Sequence, residues 1–387
     1  MKVRSWRVAM AALAMAMPAC KSKRAANAPA RPHSSAELQS LRTRVAELES
    51  KLKGRETGSP WQIINFHDHV YKMEHAERYV AAAKAVGITK TVVVGSPKYT
   101  IFGKGGGKTE GFDENFQEIV RIVQRWPDHF IPFSSVDTGS DDALDMLKRH
   151  RAQGAKGLKL YNGHSHFHVK EDGLVPKRLH PVFEYLLAED MPLLWHVGLS
   201  RYGREFEDKV LKRYPDLKVI VAHYGQTFWR PKGKAMTALP RMLDAYPNLH
   251  FDTSLGTRKI LVDGQATISQ HRKVFRDLMT RYPDRFLMGS DLVITGNPEK
   301  TVSWMTQVLW AVRDQLERDE FTFDLAARWS SYHPQRGVDS DGRMRGLGLP
   351  KAVLKQMYET TPAKLLGLTA QPPAATPTSP AAGAPGE

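Results

Sequence analysis

The sequence predicts a (β/α)8 barrel of the TIM type with an N-terminal helical tether. Eight short runs rich in β-branched and apolar residues recur between Trp61 and Val293, longer amphipathic stretches separate them, and several of the runs end in histidine or aspartate. Strand signals alternating with helix signals point to a parallel sheet wrapped by helices. Residues 61–368 are about the size of one such barrel with insertions, and barrel chemistry lies at the C-terminal ends of the strands.

At the N-terminus, Lys2, Arg4 and Arg7 precede an apolar run from Val8 to Ala19, shorter than the ~20 residues a bilayer span takes. The run leads into Met17-Pro18-Ala19-Cys20, and Cys20 is the only cysteine of the chain. This looks like the signal of a bacterial lipoprotein, with Met17 where Leu is usual. Residues 1–19 are therefore expected to be a signal peptide and Cys20 the lipidated residue, with a conventional signal as the alternative. Two acyl chains anchor stably, and Lys21 reads as an outer-membrane address. The expected location is the bacterial cell envelope, facing the periplasm, with the membrane a partner through Cys20.

Residues 20–60 read as a linker followed by a short heptad helix. Residues 21–35 have no apolar pattern. Leu38, Leu41, Val45, Leu48 and Leu52 then recur at heptad spacing, with Ser35 ahead and Gly54 behind. Residues 37–52 are expected to form a homo-oligomeric stalk or an amphipathic helix on the barrel. At the other end, residues 369–387 are an Ala/Pro-rich tail expected to be disordered.

The eight runs are WQIINFHDHV, ITKTVVVGS, FIPFSSVD, AKGLKLYNG, PLLWHVG, KVIVAHYG, NLHFDTS and RFLMGSDLV. AERYVAAAKAVG, NFQEIVRIVQRW, DDALDMLKRHRAQG and VFEYLLAED lie between them with helical periodicity. After the second run, Phe102 to Thr109 has the look of a phosphate loop, but Phe102 stands where the motif needs its first glycine. A loop at the barrel mouth is expected instead.

Net charge is +15, which by itself suggests a polyanionic partner. Residues 1–60, however, hold twelve Lys/Arg against four Asp/Glu, so +8 lies in the signal and tether and +7 is spread over the rest. No aromatic-interleaved basic stripe or helix-turn-helix pattern is visible, so no nucleic-acid partner is expected. The mild excess suits an anionic small-molecule substrate.

The first run ends in His67-Asp68-His69, the fifth in His196, the sixth in His223 and the eighth in Asp291. Residues two apart on a strand share a face, so His67 and His69 point the same way. Three imidazoles and a carboxylate from strands one, five and eight can surround a zinc-like ion and leave a position open for water. With one cysteine, a thiolate metal site is excluded. The loop after strand four carries His164, His166 and His168, expected as substrate wall rather than ligands. Arg201 and Arg258 come after strands five and seven and can each fork onto a substrate carboxylate. Trp195 and Trp229 line the pocket or pack behind it.

The barrel segment resembles the amidohydrolase superfamily, and more narrowly its amidohydrolase-2 branch of metal-dependent hydrolases and decarboxylases. The resemblance rests on His67-Asp68-His69, Pro192 to His196-Val-Gly, Val221-Ala-His223-Tyr-Gly, Tyr246-Pro-Asn248 leading to Asp252-Thr-Ser254, Gly289-Ser-Asp291 and Thr361-Pro-Ala-Lys-Leu-Leu-Gly-Leu368. It implies one divalent ion, zinc before manganese or iron, on His67, His69, His196 and Asp291. It also implies that His223 positions or protonates the reacting group, and that Asp291 exchanges a proton with water as the second catalytic residue. Where many members have proline soon after Gly-Ser-Asp, this chain has Leu292-Val-Ile-Thr.

Lys159 stands where binuclear members carry a carboxylated, metal-bridging lysine. A second metal is expected only if it is carboxylated. Otherwise it pairs with Asp68 or another acid, or binds a substrate carboxylate. The resulting expectation is a metal-dependent hydrolase of a small amide, ester or lactone. The alternatives are a non-oxidative decarboxylase of a small aromatic acid and a non-catalytic envelope lipoprotein.

Overall fold

The computed structural model describes residues 60–103, 109–164, 167, 173–256, 258–326, 338–339 and 341–368. The signal, Cys20, the tether with residues 37–52, the glycine-rich stretch 104–108, His166, His168 and the tail 369–387 lie outside the described residues. Among those described, no helix is long and apolar enough to cross a membrane.

All eight runs form strands: β1 (Ile63–Val70), β2 (Ile88–Val94), β3 (Phe130–Ser135), β4 (Gly157–Gly163), β5 (Leu193–Val197), β6 (Val219–Val221), β7 (Leu249–Asp252) and β8 (Phe286–Leu287). Each pairs in parallel with the next. The eighth run then closes the ring by a change of partner. Phe286 and Leu287 pair with β7. Phe66 N donates to Met288 O (2.8 Å), Asp291 N to His67 O (2.7 Å) and His69 N to Leu292 O (3.1 Å). Val293–Ile294, β9, continues that edge along β1. Leu292 N also donates to Asp68 Oδ1 at 2.6 Å, a bond that a proline at this position has no N–H to make.

The helices form for the reasons visible in the sequence. In Phe112–Arg125, Phe112, Phe116, Ile119 and Ile122 are buried at spacings of four and three, Asp113 and Glu114 occupy the first turn, and Arg125 the last. Charges of those signs suit the helix dipole. Met73–Ala85, Ala143–Ala152 and His180–Ala188 match the other three amphipathic stretches.

Inside the ring, Phe66, Val92, Val94, Ile131, Phe133, Leu194, Ile220, Ala222 and Leu287 form one buried cluster, with Leu365, Leu366 and Leu368 packed against it. Gln62, just ahead of β1, donates its N–H to Glu359 (3.4 Å), which puts this C-terminal segment at the start of β1, away from His67 and His69. Trp195 is fully buried and faces outward: its Nε1 donates to Asn162 Oδ1 (2.8 Å), and its ring meets Phe183 and Phe206. It packs the barrel wall and does not line the pocket.

A local irregularity in β1 aims a histidine into the barrel. The register between β1 and β2 shifts between Asn65 and Asp68. Across that shift the neighbours Phe66 and His67 both face the interior, Phe66 in the apolar cluster and His67 in the polar layer above it. A bulge re-aims a strand in this way.

Candidate metal centre

Three ligand-type side chains meet at the C-terminal end of the strands. His67 Nε2, His69 Nε2 and a carboxylate oxygen of Asp291 lie within 4.8 Å of one another. His69 Nε2 is 2.9 Å from Asp291 Oδ1, and His67 Nε2 is 3.6 Å from the same oxygen. Asp291 is held in a left-handed conformation (φ 55°) by its N–H bond to His67 O. It is also the least buried of the three, with its side chain 18% exposed.

The far nitrogen of each ring settles what the near one offers. His67 Nδ1 is 2.8 Å from Asp252 Oδ2, a carboxylate that only accepts, so Nδ1 carries the proton. His69 Nδ1 is 2.7 Å from Ser96 Oγ, whose own proton goes to Val94 O, so here too Nδ1 donates. Both Nε2 atoms therefore present lone pairs towards the Asp291 carboxylate. The Lys159 ammonium meets the His67 lone pair at 2.9 Å, and imidazole Nε2 with carboxylate is a donor set for a divalent transition ion. The residues fit such an ion, and the carboxylate-to-histidine bond from Asp252 is the outer support that metal-bound histidines use.

The electrostatics agree. Burial and the neighbouring Lys159 bring His67 down to about 4, and burial lowers His69 against the pull of Asp291. Burial alone would raise Asp291, but His67, His69 and His223 outweigh it and hold the carboxyl well below its usual range. Asp252 is likewise held low against burial by His67, His223 and Lys159.

Lys159 is buried on β4 with Nζ 2.9 Å from His67 Nε2, and burial lowers it to about 8 against the pull of Asp252 and Asp291. It does not pair with Asp68, the partner suggested by the sequence. Asp68 instead accepts from Asn65 Nδ2 (2.6 Å), Ser290 Oγ (2.7 Å) and Leu292 N, clamping the eighth run to β1. Burial pushes its carboxyl up to about 7 against the hydrogen bonds it accepts.

His223 stacks on His67, ring centroids 5.2 Å apart, with Nε2 3.9 Å from Asp291 Oδ2, and His67, His223 and Asp252 form a second group of ligand-type atoms within 4.8 Å of one another. Its Nδ1 faces Ser254 O (3.1 Å) and Ser254 Oγ (2.8 Å). His196 stands next to His223, ring centroids 4.8 Å apart, and next to His164 at 4.4 Å. It is outside the His67, His69 and Asp291 group, and Gln226 Nε2 donates to its Nε2 at 2.8 Å.

Arg201 is exposed on the first turn of the helix after β5, its guanidinium over the Tyr202 ring. Arg258 begins the helix Arg258–Gln270, and its side chain lies outside the described residues. Trp229 is 42% exposed beyond β6. Sequence reasoning assigned no role to Asp252, Ser254, Ser96 or Gln226. Asp252 carried a usable signal, a carboxylate at the end of the seventh run; the others carried none.

The fold and this cluster define a (β/α)8 barrel with a histidine and aspartate centre at the strand ends. The chain belongs to the amidohydrolase family Amidohydro_2, whose model matches residues 67–368. No curated protein matches it. Among solved structures it is similar to an uncharacterised TIM-barrel protein of Bordetella bronchiseptica, at 14% identity over 79% of this chain and 98% of that one, TM-score 0.49. It is also similar to a 4-oxalomesaconate hydratase of Rhodopseudomonas palustris, at 15% over 79% and 96%, TM-score 0.46. A 5-carboxyvanillate decarboxylase of Sphingomonas paucimobilis gives 13% over 80% and 100%, TM-score 0.47. The family typically binds a metal, and the His67, His69 and Asp291 group can hold one.

Proposed function

We propose that the chain is a metal-dependent hydrolase of a small anionic amide, ester or lactone. The observation that carries this reading is the placement of Asp291, with one oxygen 2.9 Å from His69 Nε2 and the other facing His223 Nε2 at 3.9 Å. A divalent ion, zinc in this reading, would be held by His67, His69 and Asp291 with His196 as a fourth ligand, and when bound it makes water acidic enough to act near neutral pH. Asp291, ionised and partly exposed, is a base for the attacking water. His223 takes up the proton on the Asp291 side and delivers it to the leaving group, its ring fixed through Nδ1 by Ser254. Lys159 supplies positive charge to the pocket floor, which favours an anionic substrate and any negative charge that develops on it. An ionised carboxylate can accept a proton from water, whereas decarboxylation requires a group that delivers a proton to carbon.

The test uses the full chain, loaded with zinc or manganese and presented with lactones, amides, esters and aromatic acids while new acid and carbon dioxide are followed together. Acid release that disappears in Asp291→Ala is the expected result; carbon dioxide release would replace this reading with the decarboxylase one. We further infer an envelope lipoprotein anchored through Cys20, supported by the basic, apolar and Cys20 sequence of residues 1–20. Metabolic labelling with a fatty acid should mark the chain and fail in Cys20→Ala.

A further inference from the structure

We propose that Gln226 is a positioning residue that competes with the metal ion for His196 and so sets how tightly the centre retains the ion. The inference rests on the proposed function, in which His196 is a ligand. His67 and His69 both turn Nε2 towards Asp291 and spend Nδ1 on outer partners, so Nε2 is the ligating nitrogen of this site. His196 Nε2 is engaged by the Gln226 amide at 2.8 Å, as His67 Nε2 is by the Lys159 ammonium at 2.9 Å. One lone pair cannot serve both an amide hydrogen and an ion, so His196 joins the other ligands only when Gln226 releases it.

The protein is built to hold the amide there. Gln226 is the last of four successive left-handed residues, His223 (φ 58°), Tyr224 (φ 52°), Gly225 (φ 61°) and Gln226 (φ 58°). Outside glycine each such residue is unfavourable, and sustained strain of this kind persists only where the surroundings enforce it. Its Oε1 packs against the backbone of Gly198, two residues beyond His196, where an added Cβ would come within 3.0 Å of that oxygen. The glycine thus leaves the space in which the amide reaches over to the ring. A ligand that must first be released lowers affinity by the strength of the bond broken, and a neutral hydrogen bond of this kind corresponds to about fivefold.

The experiment measures the zinc dissociation constant of the full chain by competition with a chromogenic chelator, for wild type, Gln226→Asn, His196→Ala and the double variant. Asparagine tolerates the left-handed conformation but is one methylene too short to reach His196. Gln226→Gly, which suits the same backbone, gives a second way to remove the bond. Both are expected to bind zinc about fivefold more tightly than wild type, and the gain should vanish in the His196→Ala background. Unchanged or weaker binding in both variants, or a gain that survives in His196→Ala, overturns the proposal. A wild type that binds no zinc would overturn the metal reading itself, a result distinguishable from wild-type binding that Gln226 does not affect.

Discussion

At the scale of single residues, the strand-end rule brings out His67, His69 and Asp291 because these side chains carry ligand-type atoms of their own at the ends of strands. It does not reach the groups that orient them. Asp252 accepts from His67 Nδ1, and its other oxygen accepts from His223 N (2.9 Å) and Ser254 N (3.0 Å), so one carboxylate fixes the tautomer of His67 and the start of the turn carrying His223. The carboxylate at the end of the seventh run is visible in the sequence, but its contacts are not, since His67 and His223 come from β1 and from the turn after β6. Asp252→Asn keeps the shape but removes the obligatory acceptor, which frees His67 to put its proton on Nε2. A fall in zinc affinity of about 10–100-fold is expected, as for other outer-sphere partners of metal-bound histidine, with the fold retained by circular dichroism. Affinity within twofold of wild type would remove Asp252 from the centre.

At the scale of elements, the runs and the helical periodicities were legible because each depends on spacing alone, as the apolar positions of Phe112–Arg125 show. Three features depend on contacts between distant segments and were not legible. They are the bulge that turns both Phe66 and His67 inward, the change of partner that lets the eighth run close the ring, and the left-handed turn after β6. The last is held by His223 N on Asp252, by Thr227 Oγ1 on Tyr224 O (2.7 Å) and by Tyr224 packed near Phe275 and Phe286. Gly225 is indispensable to it. A Cβ there would lie 2.5 Å from Leu199 Cδ1 on the helix after β5, besides facing a φ of 61°. Gly225→Ala should therefore cost roughly 2–4 kcal/mol, combining left-handed strain with overpacking. Because the turn carries both His223 and Gln226, turnover should fall more steeply than the melting temperature does. Equal stability in wild type and variant would show that the turn is not strained as described.

At the scale of the whole molecule, about half of the charge that stood out in the sequence lies in the first 60 residues, and the barrel's acid response is set by buried neutral histidines rather than by that excess. His129 and His250 are far from the strand ends that carry the centre: His129 Nδ1 donates to Thr89 O (3.0 Å) and His250 Nδ1 to Asn248 O (3.1 Å). Burial brings both down to about 4 from an ordinary value of 6.5, with nearby Arg285 adding to the effect at His250. Between pH 6.5 and 4 the unfolded chain therefore takes up protons that the folded chain refuses. Stability is fully present above pH 6.5 and is lost as the pH falls through this window, by up to about 3 kcal/mol for a shift of this size at one site. His250→Leu gives up the hydrogen bond to Asn248 O and is expected to be the less stable protein at pH 7.5. Over the acid window, however, it should lose less than wild type, so that the two denaturation midpoints converge as the pH approaches 4. Measured in metal-free protein, to keep the ligands from contributing, parallel midpoints across that range would show that His250 is not held neutral in the fold.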